Sequence, residues 1–390
     1  MNRIIFLLAF LTGFPALSTD MYLPALPFLR AEWDQPVVMI NMTLVAFFLA
    51  YCVFLLIFGP ISDQVGRRPP LMVGLIVYII GGLLCSASNR AEMMICARVL
   101  QGAGAASTAA LSMAICRDLF ESDQRERVLA HIAVIMALAP MIAPIIGGWI
   151  MSVLTWPWVF LTQSFLGVCG LLGVLGMKES LRNFQKTKPS QALNGYFRLF
   201  RNPRFTSLTL VASLAALPLF GFIAGSSEIY ITDFGIDEKE FGYFFALNAA
   251  ALMAGSMAFA RLRGRIRSDR LMSAGFAGLL VFGALLVVFP HDNPWTLALP
   301  MMCVSFSLGL SRPPCNNLIL AQVDRDAGAA SSMIAFSFMI VGSLSMGFIS
   351  LGWQEKVTVL GLMAATAGLA ALSFWLLAGK KFIPVRPANR

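Results

Sequence analysis

Charged residues are scarce in this chain of 390 residues. Only 13% of its residues are Asp, Glu, Lys or Arg, whereas 58% are hydrophobic. Soluble domains carry about 25% charged and about 45–50% apolar residues, because a solvated surface has to be covered by polar groups. So few charges cannot coat a water-soluble surface, and the composition predicts a protein that crosses a bilayer many times.

Several chemical signatures are also missing. The seven cysteines all fall within hydrophobic stretches, without Cys-x-x-Cys spacing or a histidine partner, so we expect neither disulfides nor a zinc site. No Gly-x-x-x-x-Gly-Lys loop is present, so ATP does not drive the protein. Nor is there a His/Asp/Cys constellation that would indicate an enzyme. We therefore expect no enzymatic activity, no metal and no cofactor.

Long hydrophobic runs are what the chain has in abundance. A helix needs about 20 predominantly apolar residues to cross the hydrocarbon core of a bilayer. The sequence predicts twelve such spans, at residues 4–28, 37–59, 70–88, 92–116, 128–153, 157–177, 205–227, 241–260, 271–289, 295–320, 328–350 and 357–378.

The net charge of +9 follows this topology. If both termini lie inside, the outer loops hold only Arg30, Arg90, Lys239 and Lys356, and nearly all other Lys and Arg residues fall on the inner side. That asymmetry is the positive-inside pattern of membrane proteins. The basic excess then faces the cytoplasm and anionic lipid, and we expect no nucleic-acid partner.

One long polar segment, residues 178–204, divides the chain into six spans and six spans. We expect an N-terminal six-helix bundle (1–177), a cytoplasmic linker (178–204), and a C-terminal six-helix bundle with a short tail (205–390). In such 6 + 6 proteins the two bundles rock about a central site. The arginine-rich stretch 261–267 follows span 8 as the basic loop 59–68 follows span 2, which favours an internal repeat.

Ionisable residues inside the spans are candidates for function. Asp20 in span 1 and Arg98 in span 4 each cost roughly 2.5–3.5 kcal/mol at a helix centre, so each should face a cavity or a partner. At 1.5 Å per residue both lie at similar depth in the outer half, so contact between them is geometrically possible. They form either a structural ion pair or a proton or substrate site, and we favour the second. Arg312 in span 10 is also intramembrane.

The loop after span 2 carries the most informative motif. Gly59, Asp63, Gly66, Arg67 and Arg68 stand at the spacing Gly-x-x-x-Asp-x-x-Gly-Arg-Arg. This loop resembles the signature of the major facilitator superfamily, whose members are solute transporters with two six-helix bundles around a central cavity.

Further segments resemble one branch of that family. Thr19–Pro27 is similar to the first span of the drug:proton antiporters that confer bicyclomycin and chloramphenicol/florfenicol resistance. Arg98–Ala105 resembles the span-4 motif Arg-x-x-Gln-Gly-x-Gly-Ala. Span 5, with Pro140, Pro144, Gly147 and Gly148, resembles the antiporter motif, although Ala139 and Ala143 stand where glycine is more usual.

The resemblance implies roles for these residues. In related exporters the acid of span 1 binds a proton and shares the cavity with substrate, a role that falls here to Asp20. The ionised acid can pair with Arg98 or with a cationic drug, and protonation cancels that pairing. No second acid precedes Asp20 in span 1, so one proton per cycle is the simplest expectation.

The loop motif is expected to act as a conformational gate. Asp63 should face the N-terminus of span 11 near Gly328, where a carboxylate stabilises the positive end of a helix. Arg67 and Asp118 should complete a charge relay, together with Arg68 and Arg117. A simple surface salt bridge is the alternative reading.

Small residues on one face of span 5 allow close helix approach. They serve either ordinary packing or a moving seam that also blocks proton leak, and we favour the seam.

Other polar residues are candidates for lining the cavity, although for any single one a local hydrogen bond is the reading we favour. These are Tyr22, Asn41, Tyr51, Gln101, Asn248, Asn316 and Asn317. Glu228, at the outer end of span 7, replaces the Ser-Pro that is usual in the branch. It is either a solvated loop residue, the reading we favour, or a group at the cavity mouth that influences cationic substrates.

We therefore predict a proton-coupled antiporter that exports small amphipathic drugs or toxic compounds by alternating access. The alternative is a proton-coupled transporter of a physiological solute such as a sugar, an organic acid, a nucleoside or a siderophore. We expect a monomer in the bacterial inner membrane with both termini in the cytoplasm.

Overall fold

A computed structural model describes residues 2–181, 189–323, 327–379 and 382. These residues form helices joined by short connections, and none of them lies in a β-strand. The all-α expectation is confirmed. Its physical basis is that a helix satisfies every backbone hydrogen bond within its own segment, which hydrocarbon requires.

The helices are bounded as follows. The first eight are α1 (Asn2–Thr12), α2 (Phe14–Asp20), α3 (Leu26–Trp33), α4 (Val37–Val65), α5 (Arg68–Ser86), α6 (Ala91–Leu119), α7 (Ser122–Val153) and α8 (Pro157–Leu175). The next eight are α9 (Pro189–Phe200), α10 (Pro203–Leu214), α11 (Ala216–Ser227), α12 (Glu238–Leu262), α13 (Ser268–Val288), α14 (Pro294–Leu320), α15 (Ala327–Ile349) and α16 (Lys356–Ala378).

Twelve helical segments within the described ranges are long and apolar enough to cross a membrane. Each overlaps one predicted span. Span 1 consists of α1 to α3, and span 7 consists of α10, α11 and a π-helical segment, Glu228–Asp233. Several helices extend beyond their hydrophobic runs; α4, for example, continues to Val65 through the start of the basic loop.

The polar segment 178–204, expected to be a linker loop, contains the helix α9. Leu199 on this helix is buried, whereas Phe197 and Phe200 are largely exposed. Arg201 lies over the ring of Phe197, with its guanidinium carbon 4.7 Å from the ring centroid. Exposed phenylalanines beside a cation are typical of a helix that lies in a membrane interface.

By backbone contacts the chain clusters into two units. Unit 1 comprises Met1–Gln191, Phe222–Ala250 and Met346–Gln354. It therefore joins the first six spans to the ends of α11, α12 and α15. Unit 2 comprises Ala192–Gly221, Ala251–Ser345 and Glu355–Arg390.

Glycines permit the closest helix contacts in both units. In unit 1, a Cβ on Gly102 of α6 would lie 2.3 Å from the carbonyl oxygen of Phe47 on α4. In unit 2, a Cβ on Gly368 of α16 would lie 2.4 Å from the backbone nitrogen of Leu280 on α13. The hydrophobic effect does not drive helices together in lipid. Backbones packed this closely associate through van der Waals contacts instead.

Span 1 is broken after Asp20, and the break positions the candidate site. α2 ends at Asp20 and a short 3₁₀ segment follows at Leu23–Ala25. The amide of Tyr22 donates to the carbonyl of Thr19, 3.2 Å away, as in a tightened helical turn. The carbonyl of Ser18, which would accept that amide in a regular helix, is left available to side chains.

Substituting Gly102 should test the packing of α4 on α6. Gly102→Ala forces a Cβ against backbone that cannot rotate away, so we expect the thermal unfolding midpoint in detergent to fall, by the equivalent of about 1–3 kcal/mol. The matched control is Gly347→Ala in α15, where a Cβ meets nothing within 4 Å. Equal midpoints for the two variants would contradict this packing.

Candidate functional site

Arg98 is the centre of the most buried polar cluster in unit 1. Its side chain is fully buried on α6. Nη1 donates to the carbonyl of Ser18 at 3.0 Å and to Oε1 of Gln101 at 2.7 Å, and Nε donates to the carbonyl of Thr43 at 3.4 Å. These bonds tie α6 to the broken span 1 and to α4.

Aromatic rings cover the guanidinium of Arg98. Its carbon lies 4.3 Å from the ring centroid of Phe47, 5.2 Å from that of Tyr22 and 5.9 Å from that of Phe160. A ring face attracts a cation, most strongly where water is excluded. Nη2 of Arg98 is buried and has no hydrogen-bond partner among the described residues. One donor of this cation is therefore unused.

A second glutamine completes the cluster. Nε2 of Gln101 donates to Oε1 of Gln163 on α8 at 2.8 Å, and Nε2 of Gln163 donates to the carbonyls of Leu17 and Ser18, each at 3.3 Å. Gln163 was not predicted as a site residue. A lone glutamine within the apolar run of span 6 is the signal that identifies it.

Asp20 lies at the end of α2 and is only 4% exposed. Its Oδ1 accepts a hydrogen bond from Oγ1 of Thr19 at 2.9 Å. Within the described part of the chain it forms no ion pair, so the contact with Arg98 that its depth allows is not made in this structure. The reason is local: Arg98 instead donates to the Ser18 carbonyl, which the helix break leaves free.

Tyr22, two residues after Asp20, is fully buried beside Arg98. Its hydroxyl is 3.1 Å from Oγ1 of Thr43 and donates to the sulfur of Met94 at 3.3 Å. Tyr51 is buried on α4 and stacks on Phe47, with ring centroids 6.4 Å apart. Unit 1 thus brings Tyr22, Arg98 and Gln101 into one cluster, with Tyr51 on the same helix as Phe47.

Two predicted residues lie in contacts at the end of unit 1 that the charge pattern places outside. The side-chain amide of Asn41 donates to the carbonyl of Ala224 at 3.1 Å and to Oγ of Ser350 at 2.8 Å. Glu228 forms an ion pair with Arg30 of α3. Glu228 is 8% exposed, so the expectation of a solvated loop residue is wrong. It lies in the π-helical segment, whose wider turn continues span 7.

The small face of span 5 makes backbone contacts in the same region. A Cβ on Gly147 would lie 2.1 Å from the carbonyl oxygen of Met21, and one on Gly148 would lie 2.2 Å from that of Glu238. Pro144 contributes its carbonyl oxygen, 2.9 Å from a Cβ placed on Gly242 of α12. The helix α7 also contains Pro140. This face therefore packs against both the break in span 1 and the start of α12.

The motif loop lies at the other end of unit 1. Arg67 donates from Nε to Oδ2 of Asp118 at 2.8 Å and from Nη1 to Oγ of Ser62 at 2.6 Å, and it also forms an ion pair with Asp63. Arg68 donates from Nη2 to the carbonyl of Leu175 at 2.7 Å. Arg67 thus joins Asp63 and Asp118 by ion pairs within unit 1, while the Arg117 side chain is exposed.

Glu179 holds this loop and was not predicted. Its carboxylate accepts backbone N–H bonds from Arg67 at 2.9 Å and Arg68 at 3.0 Å, as well as from Ser180 and Leu181. Gly66 has φ +97°, and a Cβ there would lie 2.6 Å from Oε2 of Glu179. Burial alone would raise the pKa of Glu179, but the four backbone donors outweigh it and lower that pKa below its ordinary value.

The remaining candidates lie elsewhere. Asn248 is 5% exposed on α12 in unit 1. Asn316 is in unit 2, where it lines a cavity of about 20 Å³ with Arg312, Ser213 and Phe338. The guanidinium carbon of Arg312 lies 3.9 Å from the ring centroid of Phe338. Asn317 is exposed. A Cβ placed on Gly59 would have no neighbouring atom within 4 Å.

Comparison with known proteins identifies the family. The model of the Major Facilitator Superfamily matches residues 8–346. The chain belongs to this superfamily. It is a multi-pass membrane transporter and not an enzyme.

Individual relatives cover nearly the whole chain. An uncharacterized MFS-type transporter, YdgK, of Bacillus subtilis is 27% identical over 380 residues, which are 94% of each chain. The bicyclomycin resistance protein homolog of Haemophilus influenzae is 25% identical and covers 96% of this chain and 95% of its own. The multidrug resistance protein MdtL of Salmonella typhimurium is 26% identical, covering 90% and 86%.

Solved structures share the fold. A bacterial homolog of the human lysosomal transporter Spinster, in an inward-facing and unoccupied conformation, superposes with a TM-score of 0.75 at 14% identity, covering 100% of this chain and 99% of its own. A D-xylose-proton symporter gives a TM-score of 0.72 at 14% identity, covering 95% and 96%.

The contacts of Glu179 predict a pH dependence. Because its folded pKa is lowered, its contribution to stability is present above the unfolded pKa of about 4.3 and is lost as pH falls through the folded pKa. We expect Glu179→Gln to melt at a lower temperature than wild type at pH 7 and the difference to shrink as pH falls below about 4. Thermal melts over that pH range measure it. A difference that does not change with pH would contradict the role of the carboxylate charge.

Proposed function

We propose that this transporter is a proton-coupled antiporter that exports small amphipathic drugs or toxic compounds by alternating access. The observation that carries the proposal is a buried carboxylate, Asp20, with one hydrogen bond, close in sequence to the Ser18 carbonyl that binds Arg98. Relatives named for bicyclomycin and multidrug resistance support drugs as the substrate class.

Asp20 is the group on which proton and substrate compete. A carboxylate at membrane depth requires a proton or a cationic partner, since an uncompensated charge there is expensive. Thr19 donates one hydrogen bond to Asp20, and the second carboxylate oxygen remains for a ligand or a proton. Competition for one group is sufficient for exchange, because binding of either species releases the other.

Arg98 is the resident cation of this site. Its Nη1 and Nε are held by three hydrogen bonds, whereas its buried Nη2 is unused. A buried donor without a partner costs about 1–3 kcal/mol, more for a charged group. In the cycle that we propose, the ionised Asp20 reaches Nη2 after a shift of the broken segment of span 1, and protonation of Asp20 releases it.

The two ends of the site have different gates. Arg30 with Glu228 and Asn41 with Ser350 close the outer end of unit 1. At the inner end, Arg67 joins Asp63 to Asp118. We propose that Arg68 and Arg117 are further parts of this gate. Pro140, Pro144, Gly147 and Gly148 form the seam along which the outer end opens.

The wider setting follows from the same proposal. The functional halves are residues 1–177 and 205–390, joined by 178–204. The basic loops and both termini face the cytoplasm of a bacterium, and the protein works as a monomer in the inner membrane with protons, amphipathic compounds and lipid as its partners. Within unit 1, Tyr22, Tyr51, Gln101 and Asn248 contribute to the substrate site.

The first test is proton release on ligand binding. A panel of amphipathic compounds is added to detergent-solubilised protein in weak buffer, and protons released are measured for wild type and Asp20→Asn. We expect at least one compound to release protons from wild type and none from the variant, because the asparagine side chain has no titratable proton.

Matched variants make this test decisive. Thr12→Val alters a buried polar group of span 1 whose hydroxyl bonds locally to the carbonyl of Ala9 at 2.7 Å, and it should leave proton release intact. Undiminished release by Asp20→Asn would remove Asp20 from the coupling step. If no compound releases protons from wild type, the drug-export proposal fails and a physiological solute takes its place.

Charge exchange tests the outer gate. Arg30→Glu or Glu228→Arg alone places like charges together and should reduce transport at least several-fold, whereas the double exchange restores the attraction and should recover most of it. The measurement is uptake into inverted vesicles of a compound that releases protons in the first test. The amount of each variant in the vesicles is determined by immunoblot. A double variant no better than either single variant would exclude a pairwise role.

A further inference from the structure

The arginine-rich segment after α12 borders a large cavity in unit 2. The cavity has a volume of about 790 Å³, and its lining includes Arg263, Arg265, Arg267, Met272, Leu318 and Trp375. It lies where the ends of α12 and α14 meet the start of α13 and the end of α16. The transport cycle proposed above uses none of these residues.

The three arginines differ in their partners. Arg267 is neutralised by Asp269, which accepts from Nε at 3.1 Å and from Nη2 at 2.9 Å. The side chains of Arg263 and Arg265 form no ion pair or hydrogen bond with the described residues, and both are exposed. Two guanidinium groups at the cavity therefore have no anionic partner among the described residues.

The backbone adds to the positive potential. The amides of Arg265 and Ile266 both donate to the carbonyl of Leu262 at 2.8 Å, which holds the segment in a tight turn. α13 begins at Ser268, and its N-cap residue, Arg267, provides no side-chain cap. The first turn of this 21-residue helix contributes Ser268 and Asp269 to the cavity lining, and the positive end of a helix favours a negative charge nearby.

The remaining walls are apolar. Met272 is 2% exposed, Pro314 is buried, and Leu318 and Trp375 are half-buried. Trp375 lies near the end of the last span, and tryptophan is enriched where the bilayer meets water. A ligand that fits this site has an anionic head and an apolar body.

We infer that this cavity binds the phosphate headgroup of an anionic phospholipid, with Arg263 and Arg265 as its ligands and the apolar wall against its acyl chains. Guanidinium groups bind phosphate by paired, charge-assisted hydrogen bonds. Basic pockets between spans on the cytoplasmic side are suited to lipid headgroups. A free phosphate ion has the same charged group, but it has no acyl chain to pack against the apolar wall.

The test measures lipid binding by native mass spectrometry and by thermal melting of the full chain in detergent. The probes are phosphatidylglycerol, phosphatidylcholine and inorganic phosphate. Wild type should bind phosphatidylglycerol in preference to phosphatidylcholine. The double variant Arg263→Gln/Arg265→Gln should bind it about tenfold more weakly, since each arginine near the headgroup contributes to attraction.

The control removes the same charge outside the cavity. Arg261→Gln/Arg270→Gln alters two arginines of the same region that do not line it, and it should retain wild-type affinity. Equal losses in the two double variants would overturn the site in favour of general charge attraction. Stabilisation by inorganic phosphate as strong as that by phosphatidylglycerol would overturn the lipid as its source. Transport activity enters neither readout.

Discussion

Burial of the Arg98 guanidinium is the interaction on which the rest of unit 1 depends. A cation at membrane depth needs acceptors, and most carbonyls of a regular helix are already used by the helix's own amides. The break after α2 frees the carbonyl of Ser18, which accepts from both Arg98 and Gln163. The carbonyl of Ser18, which is not used within its own helix, thereby links span 1 to both α6 and α8. The same break brings Asp20 to the end of a helix, next to the residues that hold the cation.

A comparable exchange organises the opposite end of the unit. The first amides of α5 have no partner within their own helix, and the carboxylate of Glu179 accepts from Arg67 and Arg68 there. Gly66, at positive φ, leaves room for that carboxylate. Arg67 is then oriented toward Asp118 and Asp63. The conformation of the motif loop therefore depends on the carboxylate of Glu179, more than a hundred residues away in the sequence.

The sequence was sufficient for the spans and for the buried charges, because hydrophobic length and the rarity of intramembrane ions are properties of single segments. It was not sufficient for contacts that depend on how helices are rotated. Depth along a helix placed Asp20 and Arg98 at one level, yet only the broken backbone shows that Ser18, rather than Asp20, takes the Arg98 hydrogen bond. Glu179 resembled any charge of a polar linker, and Glu228 resembled a loop residue until the π-helical turn buried it beside Arg30.

The outer contacts of unit 1 are suited to reversible opening. Gly147 and Gly148 bring backbones together without interlocking side chains, so separating these helices loses dispersion contacts but unlocks no large residue. The polar contacts there, Arg30 with Glu228 and Asn41 with Ser350, join groups that water can solvate once they part. In the cycle that we propose, this end opens and closes without separating interlocked large side chains, so that a ligand or a proton with unequal affinity for the two arrangements can shift the population between them.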